Sequence, residues 1–302
     1  MTHTTHFDVI IIGGSYSGLA AGMALGRALR KTLIIDSGKP CNRQTPHSHN
    51  FLTQDGQTPA AIASLAKEQV LAYETVSFHN DLAVSGSPTA NGFEIRTQSG
   101  ETFTAKKLIF ATGIKDLMPE IAGFSECWGI SVIHCPYCHG YEYSHKRTGI
   151  FTNGDMAFEV GKLISNWTKD LTIFTNGKST LTPEQTEKLA KHGIQINELL
   201  IERFEHTGGY LENVVFKDGS KTPVAAMYAR PAFEQHCAIP KQLGCELNEH
   251  GYISIDPFQK TSTPGVFACG DNTTFMRSVA NSVAMGTLAG VMTNKEIIED
   301  EF

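Results

Sequence analysis

Near the middle of the chain stands His134-Cys135-Pro136-Tyr137-Cys138-His139-Gly140-Tyr141-Glu142, two thiols three residues apart among imidazoles. That spacing suits a dithiol and disulfide couple. Such a pair closes with little backbone movement where it starts a helix, and a helix N-terminus or a cationic neighbour lowers a thiol pKa from about 8.5 towards neutrality. One cysteine then attacks while its partner resolves. The same pattern is also written for c-type haem attachment, and Cys/His clusters bind zinc. Haem attachment needs export, yet Met1 to Phe7 is polar, with no apolar segment before the first strand. A structural zinc needs a second ligand pair, and Cys41, Cys127, Cys237, Cys245 and Cys269 offer no further Cys-x-x-Cys. A buried, inert pair is the third alternative, disfavoured by Pro136 and the polar flank.

The rest of the chain must position this stretch. Its 302 residues suit two domains of ordinary size. With 41% hydrophobic and 19% charged residues and a net charge of -6, it has no basic bias towards nucleic acid or an anionic membrane. Seven cysteines are too few for a disulfide scaffold. No run approaches the roughly 20 apolar residues of a membrane span, and no signal peptide is visible, so a reducing cytoplasm is the expected setting. There a Cys-x-x-Cys is catalytic more often than structural.

The first element, Phe7 to Ile12, is apolar but for Asp8 and ends in Gly13-Gly14-Ser15-Tyr16-Ser17-Gly18, and Leu19 to Leu29 is Ala-rich and helical. This reads as strand, tight turn, helix. Such a turn aims backbone N-H groups and the positive end of a helix at a pyrophosphate. Ser15 replaces the second glycine of G-x-G-x-x-G, but the next strand, Thr32 to Ile35, ends at Asp36, about 20 residues on, where an acid accepts ribose hydroxyls. A phosphate-free turn packing helix on strand is the plain alternative. The stretch from Gly38 to Thr58 is a long loop holding Arg43, His47, His49 and Asn50. His47, His49 and His79 have no acid or cysteine at a ligand-like spacing, so no metal is expected. Ala60 to Tyr73 reads as a helix. Val76 to Val84, Gly92 to Gln98 and Thr102 to Ala105 read as strands, with turns at Ser87-Pro88 and Ser99-Gly100. Lys107 to Phe110 is a buried strand running into Ala111-Thr112-Gly113.

Thr148 to Phe151, Asn153-Gly154-Asp155, Met156 to Trp167 and Leu171 to Thr175 repeat the strand-turn-helix-strand grammar. Here the turn keeps only Gly154 and Ala157 of the glycine pattern, with Thr152 in the first glycine's place. After the second strand comes Thr175-Asn176-Gly177-Lys178, without the arginines a 2'-phosphate wants or the carboxylate a ribose diol wants. Pro183 to His192 reads as a helix, Ile194 to Asn197 as a strand, and Ile201 to Tyr228 as hairpins turning at Gly208-Gly209 and Asp218-Gly219. Tyr252 to Ile255 reads as a strand. Val266-Phe267-Ala268 ends in Cys269-Gly270-Asp271, and Ser278 to Met292 is a helix of small residues.

Four motifs in this order, Gly13 to Gly18 with Asp36, Ala111-Thr112-Gly113, Cys135 to Cys138, and Thr263-Pro264-Gly265 to Gly270-Asp271, resemble the low-molecular-weight thioredoxin reductase family of flavoproteins. The wording Cys-Pro-Tyr-Cys-His-Gly-Tyr-Glu is similar to the branch that includes gliotoxin-type dithiol oxidases. The resemblance implies an α/β fold of two Rossmann-like three-layer domains, the second inserted in the first. It implies an FAD domain at 1–114 and 244–302, interrupted at 115–243 by a nucleotide-binding-like domain carrying the dithiol. FAD contacts then fall on Gly13, Gly14, Ser15, Tyr16, Ser17, Gly18, Asp36, Ser37, Arg43, His49, Ala83, Ala111, Thr112, Gly113, Gly270, Asp271, Arg277, Ser278 and Val279.

In that family the second cysteine, here Cys138, faces the flavin, and Cys135 meets the substrate. His139 stands where the reductases carry an acid-base aspartate. An imidazole of ordinary pKa, about 6.5, takes a thiol proton near neutral pH, which makes His139 the expected base and His134 the second candidate. Thr152 and the missing arginines argue against ordinary NADP(H) use. The expectation is an FAD-dependent dithiol/disulfide oxidoreductase of open direction, acting on a small-molecule dithiol or disulfide or a thioredoxin-like protein. The resemblance further implies a homodimer. A non-catalytic, redox-sensing flavoprotein that changes partner binding on disulfide closure is the alternative.

Overall fold

Phe7, Ile10 and Ile12 are buried in the cluster on one face of the first strand, and Val9 and Ile11 in the cluster on the other. A strand covered on both faces reads as an unbroken apolar run rather than an alternation. The structure, a computed structural model, describes residues 5–302. Residues 1–4, part of the polar stretch noted above, lie outside the described residues.

In chain order the first stretch forms β1 (Thr5–Ile12), α1 (Tyr16–Arg27), β2 (Thr32–Asp36), α2 (Pro59–Leu71), β3 (Val76–Asn80), β4 (Ala83–Thr89), β5 (Gly92–Thr97), β6 (Thr102–Phe110) and β7 (Ile114–Asp116). The middle forms α3 (Phe124–Cys127), β8 (Val132–Ile133), α4 (Pro136–His139), β9 (Thr148–Phe151), α5 (Gly154–Ile164), β10 (Leu171–Phe174), α6 (Pro183–Lys191), β11 (Gln195–Asn197), β12 (Ile201–Thr207), β13 (Tyr210–Phe216), β14 (Lys221–Pro223) and β15 (Ala226–Ala229). The last stretch adds β16 (Phe233–Gln235), α7 (Ile239–Gln242), β17 (Val266–Ala268) and α8 (Val279–Glu301). These residues divide into two units, one made of residues up to 43, 51–115 and 233–302, the other of 44–50 and 116–232.

The first unit is built on a sheet of order β3-β2-β1-β6-β5-β4, with β17 also on β6. β1, β2, β3, β6 and β17 run parallel. β6 divides its outer edge, pairing Thr102 to Ala105 with antiparallel β5 and Leu108 to Phe110 with β17. One face of the sheet packs Val9, Ile11, Ile34 and Ile109 against Leu19 and Leu25 of α1 and Ala289 and Ile297 of α8. The other packs Ile10, Ile35 and Phe110 against Ala83 and Ile95 of the β4-β5 hairpin and Ile239 of α7. Three layers result. α1 and α8 cross closely because Gly286 has no side chain: a Cβ there would run into the Ser17 carbonyl.

Four local readings of the sequence change. Val76 to Val84 is two strands, and Thr102 to Phe110 is one. Ser87-Pro88 is strand rather than turn: Pro88 sits opposite Phe93 in β4, the edge strand, where a missing N-H costs no ladder bond. Tyr252 to Ile255 makes only isolated bridges, at Ile253 and Ile255. Residues 233–243 fall with the first unit, where Ile239 and Cys237 pack in its core.

The second unit has a parallel sheet of order β11-β10-β9-β15-β8 and a separate antiparallel sheet β12-β13-β14. Ile133, Ile150, Ile173 and Tyr228 on the parallel strands pack with Ala157 and Ile164 of α5 and Leu189 of α6. β8, β9 and β15 therefore end on the same edge of the sheet, at His134, Thr152 and Arg230. Among the described residues no helix is long and apolar enough to cross a membrane.

Candidate functional site

His134 leaves β8, Cys135 is the N-cap of α4, and Pro136 occupies the first turn of that helix, where its fixed φ is preorganised and its missing N-H is no loss. α4 is a single turn, closed by the Gly140 N-H donating to the Pro136 carbonyl at 2.6 Å. Trp167, just beyond α5, backs this turn: its ring meets Tyr137 edge-on at 5.4 Å, and a Cβ on Gly140 would lie 2.9 Å from it. The Tyr143 hydroxyl donates to the Ile130 carbonyl at 2.9 Å and fixes the exit of the segment. Cys135 and Cys138 are both part-exposed thiols.

The Cys135 thiol is pulled down to about 7, chiefly by a hydrogen bond from Cys138, against burial, with the Cys138 and Tyr137 N-H groups and the charge of Arg230 adding to the effect. About half of it is thiolate at neutral pH, the form that attacks sulfur. Cys127, by contrast, is pushed by burial to about 11 and stays a thiol. His139 differs from the sequence expectation of an ordinary imidazole. Burial lowers it to about 4, with Glu142 partly opposing and His49 reinforcing the shift. It is neutral at physiological pH and binds a proton only weakly. Glu142 Oε1 lies 3.5 Å from His49 Nε2, so His49, expected from sequence among the cofactor contacts, belongs to the second unit beside the redox segment. His134 packs its ring 6.0 Å from that of Trp128.

The turn between β9 and α5 is held by one side chain. Asn153 Oδ1 accepts from Gly154 N at 2.8 Å and from Thr180 N at 2.9 Å, while Nδ2 donates to the Lys178 carbonyl at 2.9 Å. Asn153 thus caps the start of α5 and ties the turn to the loop that follows β10. In a dinucleotide-binding unit those N-H groups and that loop serve the phosphates. Here Asn153 takes the first of those N-H groups and holds that loop.

The corresponding turn of the first unit is open. Ser15, the N-cap of the twelve-residue α1, makes no side-chain cap bond, so the first N-H groups of that helix are left for a ligand. Gly13 has φ +104, and a Cβ there would strike the Ala111 carbonyl; one on Gly14 would lie 2.7 Å from the Phe78 ring and 2.8 Å from Asp36 Cβ. Asp36 is braced by N-H donation from Gly14 and Gly38, each at 3.0 Å. On the far side of the sheet edge, Asn272 donates to the Phe110 carbonyl at 2.9 Å and to Thr112 Oγ1 at 3.4 Å, fastening the Gly270-Asp271 turn to Ala111-Thr112-Gly113. Asp271 Oδ2 lies 3.5 Å from Arg277 Nε. A glycine-lined turn, an uncapped helix start and a braced carboxylate fit the pyrophosphate and ribose of FAD.

Tyr16, Ser17 and Gly18 begin α1, and Ser17 faces Gly270. Ser278 caps α8 by accepting from Asn281 N at 3.2 Å, with Val279 the first helical residue. Ala83 is buried in the core, so only its backbone can face a ligand. Ser37 and Arg43 are exposed, Arg43 donating to the Pro40 carbonyl at 3.1 Å. His79 does have acids nearby, contrary to the sequence reading: Glu101 Oε2 at 3.0 Å and Asp81 Oδ2 at 3.8 Å. Asp81 is already engaged by Ser99 Oγ at 2.6 Å and Leu82 N at 2.7 Å, which makes this a braced turn. Tyr228 and Arg230, which adjoin the dithiol, were not singled out. Their only sequence signal is a cation at the end of an apolar strand.

Residues 7–286 match the model of the pyridine nucleotide-disulphide oxidoreductase family. The chain is 31% identical to thioredoxin reductase aclD of Aspergillus oryzae, with 98% of each protein covered, and 29% identical to thioredoxin reductase tcpT of Claviceps purpurea, covering 99% of this chain and 97% of that one. Its structure superposes on that of an oxidoreductase from Agrobacterium tumefaciens with a TM-score of 0.91 at 36% identity, covering 98% and 99% of the two chains. The chain belongs to the pyridine nucleotide-disulphide oxidoreductase family, as a thioredoxin reductase-like, FAD-dependent disulfide oxidoreductase.

Proposed function

We propose that the enzyme runs as a small-dithiol oxidase, removing two electrons and two protons from a substrate dithiol and leaving it as a disulfide. The observation that carries this direction is Asn153, whose side chain takes up the Gly154 N-H at the start of α5 and ties that turn to the loop after β10, where a reducing nucleotide would sit in the second unit. Without that donor the electrons must originate in the thiol substrate.

A substrate thiolate attacks the Cys135–Cys138 disulfide at Cys135, releasing Cys138; the second substrate thiol then attacks the mixed disulfide and releases Cys135. The low pKa of Cys135 makes it a good leaving group. His139, kept neutral by burial, accepts a hydrogen bond from a thiol and holds its proton transiently, while Glu142 and His49 beside it lead the proton to solvent. FAD bound in the first unit would supply the two-electron acceptor that restores the disulfide, with dioxygen as final oxidant and hydrogen peroxide as product. Gly13 to Gly18, Asp36, Ala111 to Gly113, Gly270 and Asp271 would hold it. A small-molecule dithiol, a homodimeric assembly and a cytoplasmic setting complete the reading.

The test is anaerobic stopped flow on the FAD-loaded protein with dithiothreitol, NADPH or NADH as reductant. Dithiothreitol should bleach the flavin in the wild type and not in Cys138→Ser, and neither nucleotide should do so quickly. Rapid bleaching by NADPH would make the enzyme a reductase. Failure of every dithiol would leave a non-catalytic redox sensor.

A further inference from the structure

The edge of the second unit where β8, β9 and β15 end holds a half-open pocket of about 320 Å³, open solvent included, whose enclosed part is no larger than a water-sized group. His134 and Pro136, the neighbours of Cys135 on either side, form one wall. Met156 and Val160 of α5 form an apolar wall, and Tyr228 and Arg230 of β15 and its end close the base and rim.

Two features of this pocket have no use in the fold. Tyr228 is 3% exposed, yet its hydroxyl has no hydrogen-bond partner among the described residues. A buried phenol without a partner is destabilising unless a ligand or water supplies one. Burial, together with the nearby thiols and Glu142, raises the phenol well above its ordinary range, so it is a donor at any physiological pH. Arg230 is exposed at the rim, where its charge also bears on Cys135; it pairs with no carboxylate among the described residues, and its Nη1 donates to Met156 Sδ at 3.8 Å. A neutral O-H donor inside and an unmatched guanidinium at the mouth, between apolar walls, together suit one planar acceptor of negative charge.

We propose that this pocket is a substrate subsite that takes the carboxylate of a small dithiol or disulfide acid, held by the Tyr228 hydroxyl and the Arg230 guanidinium while its sulfurs face Cys135. The narrow enclosed part admits one carboxylate oxygen, beside the Tyr228 hydroxyl, and leaves the rest of the group in the open part at Arg230. A substrate so held presents its sulfur end to the residue between His134 and Pro136. The proposal rests on the dithiol/disulfide activity and names the chemical class of its substrate.

Lipoate and lipoamide are suitable probes, because they share the disulfide ring and chain and differ in carboxylate against neutral amide. Titration calorimetry of the oxidised, FAD-loaded protein reads their binding without turnover. Lipoate should bind about tenfold more tightly, the scale of one charge-assisted hydrogen bond. Arg230→Met should bring the two affinities together, Arg230→Lys should recover part of the preference, and Tyr228→Phe should reduce it. Equal affinity of the wild type for the two compounds would overturn the proposal, as would a preference that survives Arg230→Met. A variant that folds poorly weakens both ligands and leaves the wild-type comparison to decide. Lipoate preference without flavin reduction by any dithiol would sink the dithiol oxidase reading and keep the subsite; turnover of dithiothreitol with no acid preference would do the reverse.

Discussion

Cys138→Ala is the sharpest probe of how the dithiol is activated. The largest cause of the low Cys135 pKa, about 7, is the hydrogen bond from Cys138, and alanine removes that donor while leaving the backbone N-H groups and Arg230 in place. A hydrogen bond to a charged group is worth about 1.5 kcal/mol at the low end, or about one pKa unit, so the inflection should move from about 7 to about 8. At pH 7 the thiolate fraction then falls from about one half to about one tenth, but intrinsic nucleophilicity rises with pKa by about 0.4–0.5 log units per unit. Alkylation of reduced Cys135 should therefore slow about twofold at pH 7 and speed up about threefold at high pH, where both forms are fully ionised. The assay is iodoacetamide labelling across pH, read on the Cys135 peptide by mass spectrometry. This crossing of the two rate profiles separates a lost hydrogen bond from a change in access, which shifts both ends in one direction. An unmoved inflection, or a wild-type inflection near that of a free thiol, would refute the reasoning. Linkage gives the sign for stability: the folded pKa lies below the unfolded one, so the reduced protein gains stability as pH rises above about 7 towards about 8.5, and loses it as pH falls through the folded value.

Burial places His139 at about 4, below its unfolded pKa of about 6.5, so its contribution to stability is complete above about 6.5 and is lost as pH falls to about 4. That loss is up to about 3 kcal/mol, and His139→Gln should flatten it in denaturant titrations at pH 7, 5.5 and 4; parallel pH slopes for variant and wild type would contradict the assignment. In the first unit, Gly14→Val should weaken FAD retention about tenfold or more, since its first side-chain carbon already falls 2.7 Å from the Phe78 ring. Flavin absorbance after gel filtration reads this, and full retention would show that the turn is not the pyrophosphate cradle.

Chemistry carried by neighbours in the chain was legible beforehand. The Cys-x-x-Cys pair, the glycine turn with Asp36 and the strand into Gly270-Asp271 are local patterns, each tied to a backbone conformation that few other residues permit. The environment of the dithiol was not legible, because it is assembled from afar. Arg230 and Tyr228 arrive on β15, His49 on the segment 44–50, and Trp167 beyond α5. Hence His139 could be named from its position, while the burial that holds it neutral could not. Pro88 misled for a related reason: proline signals a turn unless the strand lies at an edge, and edge position is a property of the whole sheet.

The two strand-turn-helix units make the same distinction between pattern and use. In sequence the second turn differs from the first chiefly by lost glycines, which argues only that a phosphate would be crowded. In the structure Asn153 does more, because its Oδ1 accepts from one backbone N-H of the turn, at Gly154, and from one in the loop after β10, at Thr180, while its Nδ2 donates to Lys178 in that loop, so a phosphate would have to compete for two N-H groups as well as fit. At about 1 kcal/mol net for each bond, that competition costs a nucleotide about 2 kcal/mol, roughly thirtyfold in affinity. The first turn exacts no such cost, since Ser15 leaves the start of α1 uncapped. One grammar thus yields a cradle where the chain withholds its own partners and a brace where it supplies them.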